Sequence, residues 1–464
     1  MKLLALVTLL ATVALTPRGV ADITLTPGTT YQVMRGWEAT APGWRFTTQA
    51  FMQQVVDRGV NRLRVEVGAH IENSTDYLAA FYANETACPN YPTVECEPSP
   101  TPGETPEGDA LTANRYVVVN DNGDPNSTNA AGFQFTGLDD AMDRTVVPMR
   151  TMLSARGESL YVNLCYVAFS NADPAKNEVH KDPDEYAEFM LAIFAHLSAT
   201  YGFVPNGVEI ILEPDNSQLF WGSVPGSPQL MGEIIKATGD RLAAAGYTPD
   251  FIMPGTTSYA SVSTYVNGAQ LVTGAMAYVD EMSFHAYNQT GGTASVAADS
   301  ADAGVCSSML EWWTASNTYS FMHDLLANGN MCAYQRGVVY PQSEEDYYPY
   351  LQQYFRPVRR GATRIAASST NGALDPLAFI NTNGAYAVVI KATSAQSFTV
   401  GNLPTATYHV RYTTGAETDT NAGDQAITAG NDLSTSIPAA GVIAIYAEPV
   451  TTSRAPVRVI RGGQ

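Results

Sequence analysis

The sequence predicts an α/β fold, a (β/α)8 TIM barrel with an appended antiparallel β-sandwich domain. Between residues 36 and 345, short β-rich runs alternate with helical runs, the pattern of parallel strands joined by crossovers. The number of such strands is about eight, which is the number that closes a barrel. After residue 346 the chain changes to short strands separated by Gly, Asn and Thr turns, as in an antiparallel sandwich.

Each barrel strand is predicted from a short apolar run. In chain order these runs are residues 35–38, 61–67, 160–167, 207–212, 250–253, 281–285, 307–310 and 332–338. The helical patterns between them are residues 47–58, 184–200, 229–245, 261–272 and 319–327. An open, doubly wound sheet is the alternative, but the chain has no Gly-rich dinucleotide-binding turn to support it.

The two ends of the chain and one insertion lie outside this regular pattern. Residues 1–21 combine a basic start, an apolar stretch and a small-residue exit, which is typical of a secretory signal peptide. Residues 70–135 follow the second strand and therefore emerge on the active-site face, either as a wall of the cleft or as a mobile insertion. We assign residues 22–35 and 346–450 to the sandwich and expect residues 451–464 to be a disordered tail.

Composition restricts the possible partners. The net charge is −20 and there is no basic patch, which argues against nucleic acid because its phosphates require Lys and Arg. A polyanionic substrate is disfavoured for the same reason. No later segment is long and apolar enough to span a membrane, so we expect a secreted, extracellular monomer. The 25 Tyr and 5 Trp residues offer rings on which sugars can stack.

The chain contains five cysteines. Cys88 and Cys96 lie in one loop, and Cys306 and Cys332 flank a predicted helix, so either pair could form a disulfide in an exported protein. Cys165 lies inside an apolar strand and is expected to be a buried thiol. No cluster of Cys, His and carboxylates has the spacing of zinc ligands, so we expect neither a metal nor a cofactor.

The strongest local signal is the apolar strand that leads into Glu213, followed by Pro214. A carboxylate at the end of a barrel strand points into the mouth of the barrel, its carboxyl-terminal end, where barrel enzymes have their active sites. Burial among apolar neighbours disfavours the charged form of a carboxyl group, which suits a general acid. The alternative is a structural Glu in a salt bridge.

A second strand ends in Glu311, followed by Trp312 and Trp313. Its position in the chain places Glu311 about three strands further round the ring than Glu213. Two carboxyl groups that face each other across a barrel mouth can lie roughly 5 Å apart, the separation at which one attacks a sugar and the other acts as acid and base. Taken alone, Glu311 could equally be structural.

Three further polar residues are placed where they could support these carboxylates. His285 and Tyr287 project to the same side of the sixth strand and can donate hydrogen bonds to a sugar or to a nucleophilic carboxylate. Arg64 lies in an otherwise apolar run. A buried Arg needs a carboxylate partner, which Glu311 or Glu66 could supply.

The order of these motifs along the chain resembles clan A of the glycoside hydrolases. The motifs are an Arg on strand 2, Glu-Pro on strand 4, His-x-Tyr on strand 6 and a Glu on strand 7. More specifically, residues 354–365, Tyr-Phe-Arg-Pro-Val-Arg-Arg-Gly-Ala-Thr-Arg-Ile, are similar to the segment that links barrel and sandwich in glycoside hydrolase family 30. Residues 31–38 resemble that family's entry into the first strand. The resemblance covers most of residues 22–450 as scattered motifs, of which the linker is the most specific.

The resemblance implies a secreted, retaining glycoside hydrolase that cleaves β-glycosidic bonds, in a polysaccharide, by double displacement. Glu213 would then be the acid/base and Glu311 the nucleophile, and Arg64, His285 and Tyr287 match supporting positions. The remaining candidate substrate-binding residues are Trp37, Trp221, Trp312, Asn163 and Asn216.

The sequence departs from the family pattern at two positions. Leu212 stands where clan A has an Asn that hydrogen-bonds the sugar 2-hydroxyl, a contact that strengthens in the transition state. Asn216 or Asn163 could replace that Asn. Glu38 stands where the family tends to have Gly. These departures keep open an alternative, a catalytically inactive carbohydrate-binding protein on a hydrolase scaffold. Xylan, β-1,6-linked glucan or galactan and glucosyl lipids are all compatible with the resemblance.

Overall fold

The structure is a computed structural model that describes most of the chain. The described residues are 21–42, 47–79, 114, 117–168, 179–216, 227–289, 292–313, 318–339, 348–428 and 430–447. The predicted signal peptide, the predicted tail and a large part of the 70–135 insertion lie outside them. So do Trp221, Cys88 and Cys96.

Eight parallel strands form a closed barrel, which confirms the predicted fold class. They follow each other around the ring in chain order, and the last strand pairs with the first. The strands are β2 (Gly36–Thr40), β3 (Arg62–Gly68), β4 (Tyr161–Val167), β5 (Gly207–Glu209), β6 (Asp250–Ser258), β7 (Val279–Asn288), β8 (Cys306–Glu311) and β9 (Met331–Val338). Strand β5 ends at Glu209, before its predicted end at residue 212.

Helices follow the strands as the alternating pattern predicted. The helices of the described residues are α1 (Gln49–Asp57), α2 (Thr136–Ala141), α3 (Val147–Ser154), α4 (Pro183–Tyr201), α5 (Ser227–Ala244), α6 (Tyr259–Gln270), α7 (Gly292–Ala303), α8 (Tyr319–Asn328) and α9 (Tyr348–Phe355). Helices α2, α3, α7 and α9 were not predicted. Within the described residues, none of the helices combines the length and apolar character that crossing a membrane requires.

Local sequence signals explain where the longest of these helices begins and ends. The side chain of Asp182 accepts hydrogen bonds from the backbone N–H groups of Asp184 and Glu185, which have no partner inside the helix. At the other end of α4, Gly202 adopts a left-handed conformation with φ 69°, which glycine tolerates without a steric penalty.

A second sheet has nine strands, which are β1 (Ile23–Val33), β10 (Thr363–Ser369), β11 (Leu374–Ile380), β12 (Tyr386–Ala392), β13 (Gln396–Gly401), β14 (Ala406–Thr414), β15 (Thr420–Ile427), β16 (Leu433–Ile437) and β17 (Gly441–Ala447). Their order in the sheet is β15-β14-β17-β12-β11-β10-β1-β13-β16. All neighbours are antiparallel except β1 and β13. Edge strands β15 and β16 contact each other, so the sheet closes over its own apolar core, as the predicted β-sandwich requires.

The segment that links barrel and sandwich buries Trp37. The ring of Trp37 stacks on Phe355 with a centroid separation of 4.5 Å, and its indole N–H donates to the carbonyl of Val358 at 2.6 Å. The residue is fully buried. The prediction that Trp37 binds sugar is therefore wrong, because the linker covers the side of β2 that carries this ring.

The predictions for the described cysteines agree with the structure. Cys306 and Cys332 form a disulfide with an S–S distance of 2.04 Å, which joins neighbouring strands β8 and β9. Cys165 is a buried free thiol on β4.

Glu72, which follows β3, is buried among other carboxylates. Its Oε1 accepts a hydrogen bond of 3.0 Å from the backbone N–H of Asp121. Burial raises the pKa of Glu72 to about 7, and the charges of Asp121, Glu185 and Glu188 act in the same direction, although the hydrogen bond from Asp121 opposes them. Glu72 therefore ionises near neutral pH, at a cost to the folded state.

We expect Glu72→Gln to stabilise the protein above pH 7 and to have little effect near pH 4. Because the pKa of Glu72 is higher in the folded protein than in the unfolded chain, its protonated carboxyl group contributes fully to the free energy of unfolding only below the pKa of the unfolded chain. That contribution is lost as the pH rises through about 7. Thermal unfolding of wild type and variant at several pH values measures the effect. Glu233→Gln is the control, because Glu233 bonds Gln229 on an exposed helix surface. A Glu72→Gln effect that does not change with pH would contradict the prediction.

Candidate active site

Glu213 and Glu311 meet at the mouth of the barrel. One carboxylate oxygen of each residue and a ring nitrogen of His285 all lie within 4.8 Å of one another. Glu213 is 6% exposed and Glu311 is 9% exposed. The structure thus brings together two carboxylates that lie almost 100 residues apart in the chain, in a largely enclosed position.

An irregular segment directly after β5 positions Glu213. The backbone N–H groups of Leu212 and Glu213 donate to the carbonyls of Tyr166 and Gly255, each at 2.9 Å, so the segment remains attached to both neighbouring strands. Glu213 has a φ of 51°, a left-handed conformation that is uncommon for a residue with a side chain. Such conformations persist only where the surroundings hold them, and they are concentrated at functional sites.

Two side chains bind the carboxylate of Glu213. The Nδ1 of His285 lies 2.8 Å from Oε1, and the Nδ2 of Asn216 donates to Oε2 at 2.8 Å. Burial alone would lower the pKa of His285, but the neighbouring carboxylates of Glu311 and Glu213 outweigh it and raise that pKa. His285 was predicted to support Glu311, whereas its direct hydrogen bond is to Glu213. Asn216 lies at the site, where it contacts the carboxylate.

The other two supporting residues bind Glu311. The Nη2 of Arg64 donates to Oε2 at 2.7 Å, and the hydroxyl of Tyr287 donates to Oε1 at 2.9 Å. Burial alone would raise the pKa of Glu311, but the positive charges of Arg64 and His285 and these hydrogen bonds outweigh it and lower the pKa to about 2. Glu311 is therefore ionised at neutral pH, as a nucleophile must be.

We expect Arg64→Gln to raise the pKa of Glu311, because it removes the nearest positive charge. An opposite charge at this distance shifts a carboxyl pKa by about 1–3 units. The acid limb of the pH profile of kcat/KM should move upward by a similar amount, while Arg64→Lys should restore part of the shift. Arg35→Gln is the control, since Arg35 pairs with Asp250, away from the mouth. An acid limb that stays in place in Arg64→Gln would rule out this role.

A second polar layer lies deeper in the barrel. Arg62 bonds Glu38 at 2.5 Å and Glu281 at 2.6 Å, and the Nδ2 of Asn163 donates to Glu209 at 3.0 Å and to Glu38 at 3.3 Å. All five residues are fully buried. The prediction that Asn163 contacts the sugar is therefore wrong, because its amide is directed into this layer. Glu38 also lies here rather than near the mouth, as the partner of Arg62.

Aromatic residues contribute less to the described site than the sequence suggested. Trp312 is 7% exposed and packs edge-on against Phe321 with ring centroids 4.7 Å apart, so little of its ring is open to a sugar, and its role as a sugar platform stays a prediction. Trp221 lies outside the described residues. Tyr287 is 42% exposed and is the aromatic side chain that touches Glu311 directly.

The residue types at the mouth are also ones that bind metal ions, but their contacts favour another use. The Nδ1 of His285 is already hydrogen-bonded to Glu213, and Glu311 is paired with the permanently charged Arg64. A divalent cation at this position would compete with these partners for the carboxylates and would meet the positive charge of Arg64. The arrangement suits nucleophilic attack and proton transfer instead.

Sequence reasoning missed the wall of the mouth formed by β3, β4 and the segment after β5. Glu66, considered only as a possible partner of Arg64, lies 3.3 Å from its Nη2. Cys165, Val167 and Leu212 form a small apolar cluster beside it. The signal that could have placed Glu66 is the alternation along β3, where every second residue faces the barrel interior.

The protein is a closed (β/α)8 barrel followed by a β-sandwich, and two carboxylates face each other at the mouth of the barrel. No protein-family model and no curated protein sequence matches the chain. Among solved structures, the chain is similar to a family 30 glycoside hydrolase, an endoxylanase from Clostridium papyrosolvens C71. The TM-score is 0.62 and the identity is 16%, over 92% of this chain and 100% of that one.

Two further structures support the same architecture. A family 30 subfamily 8 xylanase from Clostridium acetobutylicum gives a TM-score of 0.62 at 15% identity, over 92% of this chain and 99% of that one. An endo-β1,6-glucanase gives a TM-score of 0.56 at 14% identity, over 93% of this chain and 96% of that one. The chain thus has the fold of the family 30 glycoside hydrolases, and the resemblance found in the sequence is confirmed at the level of the fold.

Proposed function

We propose that the protein is a glycoside hydrolase that cleaves β-glycosidic bonds with retention of configuration. The observation that carries this proposal is the separation of the two carboxylates, whose oxygens approach within 4.8 Å. Retaining enzymes hold their carboxyl groups about 5–5.5 Å apart, whereas inverting enzymes need about 6.5–9.5 Å to admit a water molecule between carboxylate and sugar. The distance here favours direct attack on the sugar.

The reaction proceeds in two steps. In the first, the ionised Glu311 attacks the anomeric carbon, the bond to the leaving oxygen breaks, and Glu213 gives that oxygen its proton. In the second, Glu213 takes a proton from water, the water oxygen attacks the anomeric carbon, and the ester to Glu311 breaks. Arg64 and Tyr287 hold Glu311 ionised and oriented, and His285 orients Glu213.

We further propose that the protein acts on a polysaccharide outside the cell. The Cys306–Cys332 disulfide is compatible with an oxidising compartment. A similar structure, with a TM-score of 0.58 at 12% identity, is described as a conserved exported protein from Bacteroides fragilis. The xylanases and the endo-β1,6-glucanase reported above support a polysaccharide substrate.

The alternative is a carbohydrate-binding protein that has lost catalysis. The observation that favours it is Leu212, which belongs to an apolar cluster and cannot hydrogen-bond a sugar hydroxyl. Against it, each of the two carboxylates has two polar side chains bonded to it. An ionised carboxylate beside a second carboxylate is also what double displacement requires.

A test of the proposal combines turnover and stereochemistry. The protein is incubated with aryl β-glycosides of glucose, xylose and galactose, and with xylan and β-1,6-glucan. We expect release of product, with the β-anomer appearing first in proton NMR spectra recorded before mutarotation. An α-anomer as the first product would exclude the retaining mechanism. Binding of a polysaccharide without turnover of any substrate would favour the alternative.

A further inference from the structure

Strand β3 brings a third carboxylate into the mouth of the barrel. Every second residue of this strand faces the barrel interior, and these residues include Arg62, Arg64 and Glu66. Arg62 is fully buried in the deeper layer, and Arg64 binds Glu311. Glu66 is one step nearer the mouth, and its side chain is 27% exposed. A substrate in the cleft can therefore reach it.

Glu66 lies beside Glu311. A single nitrogen, Nη2 of Arg64, is 3.3 Å from Oε1 of Glu66 and 2.7 Å from Oε2 of Glu311. Because both oxygens contact one nitrogen, the two carboxylates are near enough to face the same sugar. Arg64 fixes the spacing between the two carboxylates.

The surface beside Glu66 is apolar. Glu66 is paired with Cys165 in the parallel register of β3 and β4, and Cys165 packs with Val167 and Leu212. A sugar hydroxyl placed against this surface needs an acceptor, because a buried hydroxyl without a hydrogen bond is unfavourable. Among the described residues of this wall, Glu66 offers a charged acceptor at the level of the nucleophile.

We propose that Glu66 binds the substrate directly, accepting hydrogen bonds from one or two hydroxyls of the sugar that Glu311 attacks, and so determines specificity. This inference rests on the proposed function and assigns a substrate class to the same site. Glu66, Glu213 and Glu311 surround the sugar with carboxyl groups, against the charges of Arg64 and His285. A uronic acid would add a further negative charge among these carboxyl groups, so the site selects a neutral sugar.

The test compares wild type, Glu66→Gln and Glu66→Ala on a hydrolysed aryl β-glycoside, on each of its monodeoxy analogues and on the corresponding uronide. On the parent glycoside, Glu66→Ala should lower kcat/KM by about 10- to 100-fold, the range for hydrogen bonds to a charged group. On the analogue that lacks the bound hydroxyl, wild type and Glu66→Ala should be nearly equal, because the interaction is absent in both. Wild type should prefer the neutral glycoside to the uronide, and Glu66→Gln should reduce that preference.

The same measurements separate this role from a merely positioning one. If Glu66 only orients Arg64, its loss lowers kcat/KM by the same factor on every deoxy analogue and moves the acid limb of the pH profile, and that result overturns the inference. Unchanged kinetic constants in both variants overturn it too. Absence of turnover of every glycoside by the wild type removes the proposed function itself. Glu233→Ala, at the exposed surface of α5, is the matched control.

Discussion

Glu311→Gln is expected to abolish hydrolysis, with a loss in kcat/KM of at least about 10⁴-fold. An amide oxygen does not attack the anomeric carbon at a useful rate, so the covalent route is lost. The amide oxygen can still accept a hydrogen bond from Arg64, and the amide NH2 can donate to the hydroxyl of Tyr287, the two groups that bond the carboxylate oxygens in the wild type. We therefore expect the variant to fold, and its thermal unfolding should show this. Steady-state assays on an aryl β-glycoside measure the loss.

Glu311→Gly provides a sharper form of the same test. Removing the side chain leaves room beside the sugar for a small anion, and azide should then restore cleavage of a glycoside with a good leaving group. Because azide attacks from the side that Glu311 occupied, the product should be the α-glycosyl azide. A variant at position 311 that keeps wild-type turnover, or a β-glycosyl azide as its rescue product, would remove Glu311 from the mechanism.

The barrel was predictable because its signals are local. The apolar pattern of about ten residues is enough to predict a strand or a helix. The alternation of strands and helices then predicts that the strands are parallel. Helix α7 was missed because its sequence is made largely of Ala, Ser, Asp and Thr and shows little apolar pattern. The short strand β5 was overestimated for a related reason. Residues 210–212 are apolar, but they leave regular pairing to turn towards Glu213.

The site was predictable only in part, because contacts between distant strands are not local. A carboxylate at a strand end points into the mouth whatever its partner, so Glu213 and Glu311 could be found from sequence. Which of them His285 contacts depends on the arrangement of β5, β7 and β8. For Trp37, the deciding fact is a linker more than 300 residues away, which covers one face of β2. For Asn163, the deciding fact is its depth in the barrel, which places its amide among buried carboxylates instead of at the mouth.

The structure gives the two carboxylates different partners, and the difference matches their proposed roles. Glu311 is bonded to Arg64, whose charge is permanent, which suits a group that must stay ionised until it attacks. Glu213 is bonded to His285, whose charge, unlike that of Arg64, is not permanent. A partner of that kind suits a group that must lose a proton in one step and regain it in the next.

Glu213→Gln is accordingly expected to slow hydrolysis in a way that depends on the leaving group. Protonation by a positioned acid contributes about 10²- to 10⁴-fold, and the full loss should appear on glycosides whose leaving group needs that proton. Glycosides of strongly acidic phenols depart without it, so their first step should be much less affected. Burst kinetics with such a substrate, which separate formation of the glycosyl–enzyme from its hydrolysis, measure the two steps.

Azide distinguishes the acid/base from the nucleophile by the stereochemistry of its product. In Glu213→Ala, the covalent bond to Glu311 still forms, and azide then attacks the glycosyl–enzyme from the opposite face because it needs no general base. Two inversions give the β-glycosyl azide, the opposite of the product expected from Glu311→Gly. An equal loss on all leaving groups, or an α-azide from Glu213→Ala, would show that Glu213 does not carry the proton. If Glu311→Gly gives the α-glycosyl azide and Glu213→Ala gives the β-glycosyl azide, the two carboxylates must act on opposite faces of a single sugar.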